Sequence, residues 1–199
     1  MALLLASALC GCMTFAESPP GAAPPTPSSE LAPFAVAYRV PAFTFAQNDD
    51  EPQTSHVDGE LLAGEITAAW QERGLIRRAD LAGPDAPWPG DHFYVFTFSG
   101  QQINDTGFWS QGFNLLTLFL LPYSVTHHYT ILCVAENALT GQQYTATVRA
   151  NDKTWVTLPL LPVLPFYAHG HEREMANAAD RLYDELARQG AFAAPQQSR

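Results

Sequence analysis

Phe34, Val36, Tyr38 and Val40 fall on one side of an alternating run, which predicts a first strand over 35–45. The polar loop QNDDEPQTS follows. Ser55 and Asp58 then stand at capping-box spacing, and Leu62, Ile66, Ala69, Trp70 and Arg73 share one helical face. That predicts a helix over 57–73, stopped by Gly74. Residues 75–81 read as a short strand. HFYVFTFS, residues 92–99, is almost unbroken aromatic and β-branched sequence and reads as a central strand. The polar, Gly-containing stretch 100–113 interrupts the pattern. Strands over 123–136 and 142–150 flank a turn at 137–141, with an extended segment after Trp155. Met175, Ala179, Leu182 and Leu186 step at helical intervals, predicting an amphipathic helix over 171–189 that ends at Gly190. Residues 193–199 read as a frayed tail.

The order β-α-β-β-β-α predicts an α+β fold, a two-layer sandwich in which two helices cover one face of a mostly antiparallel sheet. Two apolar segments stand out from it: NLLTLFLLPY at 114–123 and WVTLPLLPVLPF at 155–166. With a turn centred near Leu139, paired residue numbers sum to about 278. Tyr129 then faces Arg149, Pro122 meets Val156, and the two segments flank the open end of one hairpin. A straight hairpin reaching back to residue 115 would span roughly 75 Å, so bends are expected at Pro122 and at Asn151-Asp152. Neither segment supplies the ~20 apolar residues of a spanning helix, and Pro159, Pro162 and Pro165 interrupt the second. Either the segments complete the core over the sheet, or they project as an apolar finger into lipid or a partner protein. In the second case the contact residues are Leu115, Leu116, Leu118, Phe119, Leu120, Leu121, Leu160, Leu161, Val163, Leu164 and Phe166.

Composition narrows the partners. Hydrophobic residues make up 47% and charged residues 15% of the 199, which supports one core under a surface of Gln, Thr, Ser and Asn. The net charge of -10 argues against nucleic acid. It also means that any membrane contact must be apolar or lipid-mediated.

The N-terminus, MALLLASALCGC, carries a short apolar run ending in Leu9-Cys10-Gly11-Cys12. It resembles the lipobox of bacterial lipoproteins. The resemblance implies a signal over 1–12, lipidation of Cys12, and, because Met13 rather than aspartate follows, the periplasmic side of the outer membrane. Residues 13–33, dominated by Pro, Ala, Ser and Gly, read as a disordered tether reaching ~60 Å. It would stand the domain, 34–192, off the bilayer. Cys133 is then a lone thiol in a strand and reads as buried and inert.

LxLFLLPY before a hairpin, a Trp-containing apolar run ending in PF, and a last helix closing on Gly resemble a group of small, largely uncharacterised Gram-negative lipoproteins. In topology alone the order also resembles the lipopolysaccharide-assembly lipoprotein of the outer membrane. Candidate chemistry is sparse. His127-His128 and His169-Gly170-His171-Glu172 are the only histidine groupings that suggest a metal. Adjacent strand residues point to opposite faces, so only one of the first pair can join a site. No closed Cys/His zinc spacing, nucleophile elbow or phosphate loop occurs. Asp49-Asp50-Glu51 read as a solvated loop. Trp70, Trp88, Trp109 and Trp155 read as core or patch-edge residues, the last two suited to an interfacial belt.

The expectation is a lipid-anchored envelope protein without cofactor or metal and with a non-enzymatic binding or scaffolding role. The alternative is a carrier that shelters a lipidic ligand behind the HFYVFTFS strand. A metal-dependent enzyme would need His128, His169 and His171 to converge.

Overall fold

The strands that carry most of the sheet are β5 (Tyr94–Thr106), β6 (Tyr123–Asn137) and β7 (Gln143–Val156), paired antiparallel in that order. The structure is a computed structural model that describes residues 12–16, 34–48, 50–83, 92–106, 116, 123–156 and 170–192. β2 (Phe34–Gln47) runs parallel to β5 on the far side of the ladder. Its own outer edge is shared by β3 (Gln53–Thr54), antiparallel, and β4 (Ile76–Leu81), parallel. β1 (Cys12–Ala16) closes the opposite edge against β7, giving a seven-stranded sheet. Pro41 has no amide proton for a ladder, and the β2–β5 register shifts between Arg39 and Ala42, around it.

Two helices lie on one face, as the hydrophobic pattern predicts. In α1 (His56–Glu72), the Ser55 hydroxyl accepts from the Asp58 amide at 3.3 Å and donates to the Asp58 carboxylate at 2.5 Å. Gly74 at φ 68 closes the helix while the Leu75 amide returns to the Trp70 carbonyl. α2 (Gly170–Arg188) ends the same way at Gly190, φ 85, with the Ala191 amide on the Leu186 carbonyl. Met175, Ala179, Leu182 and Leu186 are all buried, so the helical stripe read from the sequence is the docking face.

Aromatic rings centre the core. Trp70 lies 5.1 Å from Phe96 and 6.1 Å from Phe98, ring centroid to centroid, and donates its indole N–H to the Ala179 carbonyl at 2.8 Å. One side chain therefore ties β5, α1 and α2 together, and its polar atom is satisfied.

Several boundaries differ from the sequence reading. β5 continues through the polar residues up to Thr106, where a loop was expected. β7 runs unbroken through Asn151-Asp152, where a bend was expected. The bend expected at Pro122 lies outside the described residues. The hairpin register is one residue off: Tyr129 pairs with Ala150, and Arg149 with Thr130. Residues 12–16 form β1 where the head of a disordered tether was expected.

Among the described glycines, two mark close approaches. A Cβ on Gly59 would sit 2.6 Å from the Phe43 Cβ, and one on Gly100 would sit 2.1 Å from the Thr130 carbonyl oxygen. By contrast, a Cβ on Gly64 would meet only the Tyr38 hydroxyl at 3.7 Å. Gly59→Ala is therefore expected to lose about 1–3 kcal/mol through overpacking. Gly64→Ala, on the same helix, is expected to be neutral or to gain up to about 1 kcal/mol. Denaturant melts of the pair check this, and equal effects would disprove the close helix–strand contact.

Candidate functional site

One end of the sheet carries Cys12 and the strand ends that adjoin both leucine-rich segments. Cys12 stands in register with Val156, and Val156 with Tyr123. The chain thus enters β6 from the first leucine-rich segment, and leaves β7 into the second, on the row that carries Cys12. Of the candidate contact residues, Leu116 is described and is 80% exposed. Leu115, Leu118, Phe119, Leu120, Leu121, Leu160, Leu161, Val163, Leu164 and Phe166 lie outside the described residues, as do His169, Trp88 and Trp109. Trp155, one residue before that row, is half-buried, and the Lys153 ammonium lies 5.2 Å from its ring centroid. Lys153 is the only lysine of the chain.

A polar cluster lies a few residues deeper, on the helical side. The row Asn104–His127–Asp152 crosses β5, β6 and β7 there. Asp152 is 0% exposed. Its Oδ2 is 2.7 Å from His171 Nδ1 near the start of α2 and accepts from the Tyr129 hydroxyl at 3.4 Å. His171 Nε2 is 3.1 Å from Glu65 Oε2 on α1. An imidazolium donating to two carboxylates is stabilised over the neutral ring, so the pKa of His171 is pushed up to about 10, chiefly by Asp152 and then by Glu65. His127 goes the other way, because burial disfavours its charge. It lies 2.6 Å from Asn104 Oδ1 through Nδ1, while its Nε2 is 3.9 Å from Asp152 Oδ1, an oxygen without a hydrogen-bond partner among the described residues. Burial and the neighbouring Asp152 charge also raise the pKa of the Tyr129 hydroxyl.

The cluster is a charge-paired clamp joining α1, α2 and β7. Adjacent histidines do point to opposite faces. The one that shares the site with His171 is His127 and not the expected His128. His128 lies on the other face, 2.8 Å from Asn151 Oδ1 and 3.2 Å from Asp105 Oδ2. Among the described residues no group of three or more His, Cys, Asp or Glu side chains is arranged to hold a metal ion. Cys133 is a free, fully buried thiol whose pKa burial raises. Asp50 and Glu51 are exposed loop residues. The helix-facing side of the HFYVFTFS strand, where a carrier would hold its ligand, is packed with Trp70, Phe96 and Phe98.

No protein-family model matches the chain, and no curated protein matches it. Among solved structures, a DUF330-family protein from Xanthomonas campestris is similar at a TM-score of 0.40 and 11% identity, over 85% of this chain and 97% of that one. A PelC dodecamer from Paraburkholderia phytofirmans is similar at a TM-score of 0.26 and 15% identity, over 84% of this chain and 98% of that one. Both are bacterial, and at these scores neither likeness carries an argument about function. No described helix is long and apolar enough to cross a membrane.

In the sequence Asp152 reads as part of a bend and not as a site residue, and Glu65 carries no signal of its own. A signal was present: Asp152 has the same strand parity as the apolar Ala146, Val148 and Ala150, so it was due to face inward. The clamp has a pH signature. A histidine raised from about 6.5 to about 10 contributes stability that is full below about pH 6.5 and lost as the pH rises toward 10. His171→Gln is therefore expected to lower the melting temperature most at pH 6, with the gap to wild type closing by pH 10. A pH-independent gap would show that the charge is not what His171 contributes.

Proposed function

We propose that the protein is a lipid-anchored lipoprotein of the periplasmic face of the outer membrane, with a non-enzymatic binding or scaffolding role. Cys12 carries the lipid. The leucine-rich segments 114–122 and 157–166 contact the bilayer surface or an envelope partner bound there. The observation that carries this reading is the shared row of Cys12, Val156 and Tyr123. Three features that the sequence suggests for membrane contact, separated by up to about 150 residues, leave the sheet from one end. A lipid anchor at that end makes apolar contact by the segments inexpensive, because the domain is already concentrated at the surface. The Trp155–Lys153 pair suits an interface, with an amphipathic ring and a cation able to reach headgroups. The charged clamp at Asp152 supports a structural role for the histidines, since its acid and base groups are engaged with one another.

Flotation tests the contact. The unlipidated Cys12→Ser chain, residues 12–199, which keeps β1, is expected to float with neutral liposomes, and a folded Leu118→Asp, Leu160→Asp variant of it to sink. If wild type stays down, the membrane contact is wrong, and if the variant also unfolds, the segments belong to the core.

A further inference from the structure

We propose that β1 converts the lipid anchor into a fixed orientation: the bilayer lies against the Cys12–Val156–Tyr123 end of the sheet, and the strands rise from it with the 137–143 turn far away. The proposal rests on the reading of Cys12 as the lipidated residue and goes beyond it, because an anchor alone leaves a domain free to tumble.

The register supplies the argument. β1 begins at Cys12 itself, and all five of its residues pair with β7, from Cys12 opposite Val156 to Ala16 opposite Asp152. Inside the strand, the Thr14 and Thr154 hydroxyls are 2.9 Å apart. No slack is left between the lipid-bearing residue and the folded sheet. The Pro-rich stretch lies after this strand, in 17–33, and joins Ala16 to Phe34 at the other end of the sheet. It cannot act as a stand-off between lipid and domain.

The span it bridges follows from the ladder. Laterally, β1 and β2 are separated by β7, β6 and β5, which is about 19 Å at ~4.8 Å per strand. Lengthwise, Ala16 lies on the row of Asp152, His127 and Asn104, while Phe34 lies just beyond the row of Tyr94. That offset is roughly 40 Å at ~3.3 Å per residue. The diagonal is about 44 Å, against a polyproline reach of about 56 Å for the intervening chain. Lys153 and Trp155, beside the same row on the adjacent strand, give that end an interfacial Trp–cation pair.

The test uses the full lipid-modified protein in phosphatidylcholine vesicles with a headgroup-level quencher. After acylation of Cys12, the buried Cys133 is the sole native thiol in the mature chain. A probe on an added cysteine is therefore unique. Asp105→Cys lies close to the anchor row, and Leu139→Cys, 77% exposed, lies in the distal turn. Their separation of roughly 40 Å along the strands predicts quenching at 105 that exceeds quenching at 139 about fivefold or more. Equal quenching overturns the proposal and leaves the anchor intact. In a Thr14→Pro, Phe15→Pro variant, which removes β1 pairing of either parity, the difference is expected to collapse. If it survives, β1 is not what orients the domain. Mass spectrometry that finds no acyl group on Cys12 fails the underlying reading instead, and the proposal with it. The two-probe comparison in the unmodified strand stands even if the proline variant misfolds.

Discussion

Asn137 Oδ1 accepts the amide protons of Leu139 and Thr140, and Gly141 takes a left-handed φ of 70. Together these close the loop 138–141 and set which residues of β6 and β7 stand opposite one another. That register propagates across the molecule. It places Cys133 beside Ala146 and Ile131 beside Val148 on the side that receives α2. It places Asp152 beside His127, under the start of the same helix, and Val156 beside Tyr123 at the end of the sheet. A slip by one residue would turn the β7 face over and present Thr145, Thr147 and Arg149 to the core.

Such a slip separates the sequence reading from the structure at this hairpin. Centring the turn on Leu139 assumes an odd loop, whereas the loop that forms is even. The parity of β7 held the correction, because Ala146, Val148 and Ala150 alternate with Thr145, Thr147 and Arg149. The helices were legible to within a residue or two, since each has an apolar stripe with a terminal glycine that takes positive φ. The strand ends were not. Hydrophobicity marks a strand only where its face meets a helix. At the His171 end of α2 and past it, Gln102 bonds Asn104, Asn104 bonds His127 and Asp152 bonds His171, so these strand residues are held by hydrogen bonds instead of apolar packing. Polar sequence that looks like loop is there the wall of a charged cluster.

The same limit hid the candidate site. The leucine-rich segments were visible, but their common origin depends on long-range pairing. The approximate hairpin register was enough to bring Pro122 and Val156 together on paper. Nothing in CMTFA, read by itself, predicts an edge strand beside residues 152–156. Five residues next to a leader have too little periodicity to distinguish strand from tether. α2 covers that side of the sheet and extends contact to β1, so tertiary packing decides what local propensity leaves open.

The proline content of residues 17–33 takes on a different physical meaning once both of its ends are fixed. A Gly/Ser chain of the same length has a root-mean-square span of about 20–25 Å. The endpoints Ala16 and Phe34 are separated by about twice that, so a flexible coil would be stretched and would pull β1 off the edge. A polyproline-biased chain is already extended, and the conformational entropy lost on bridging the sheet is correspondingly smaller. On this argument the Pro-rich composition lowers the cost of keeping a short edge strand paired with β7. Replacing those prolines with Gly and Ser at constant length would loosen β1 before it disturbed the helices or the β5–β6–β7 ladder.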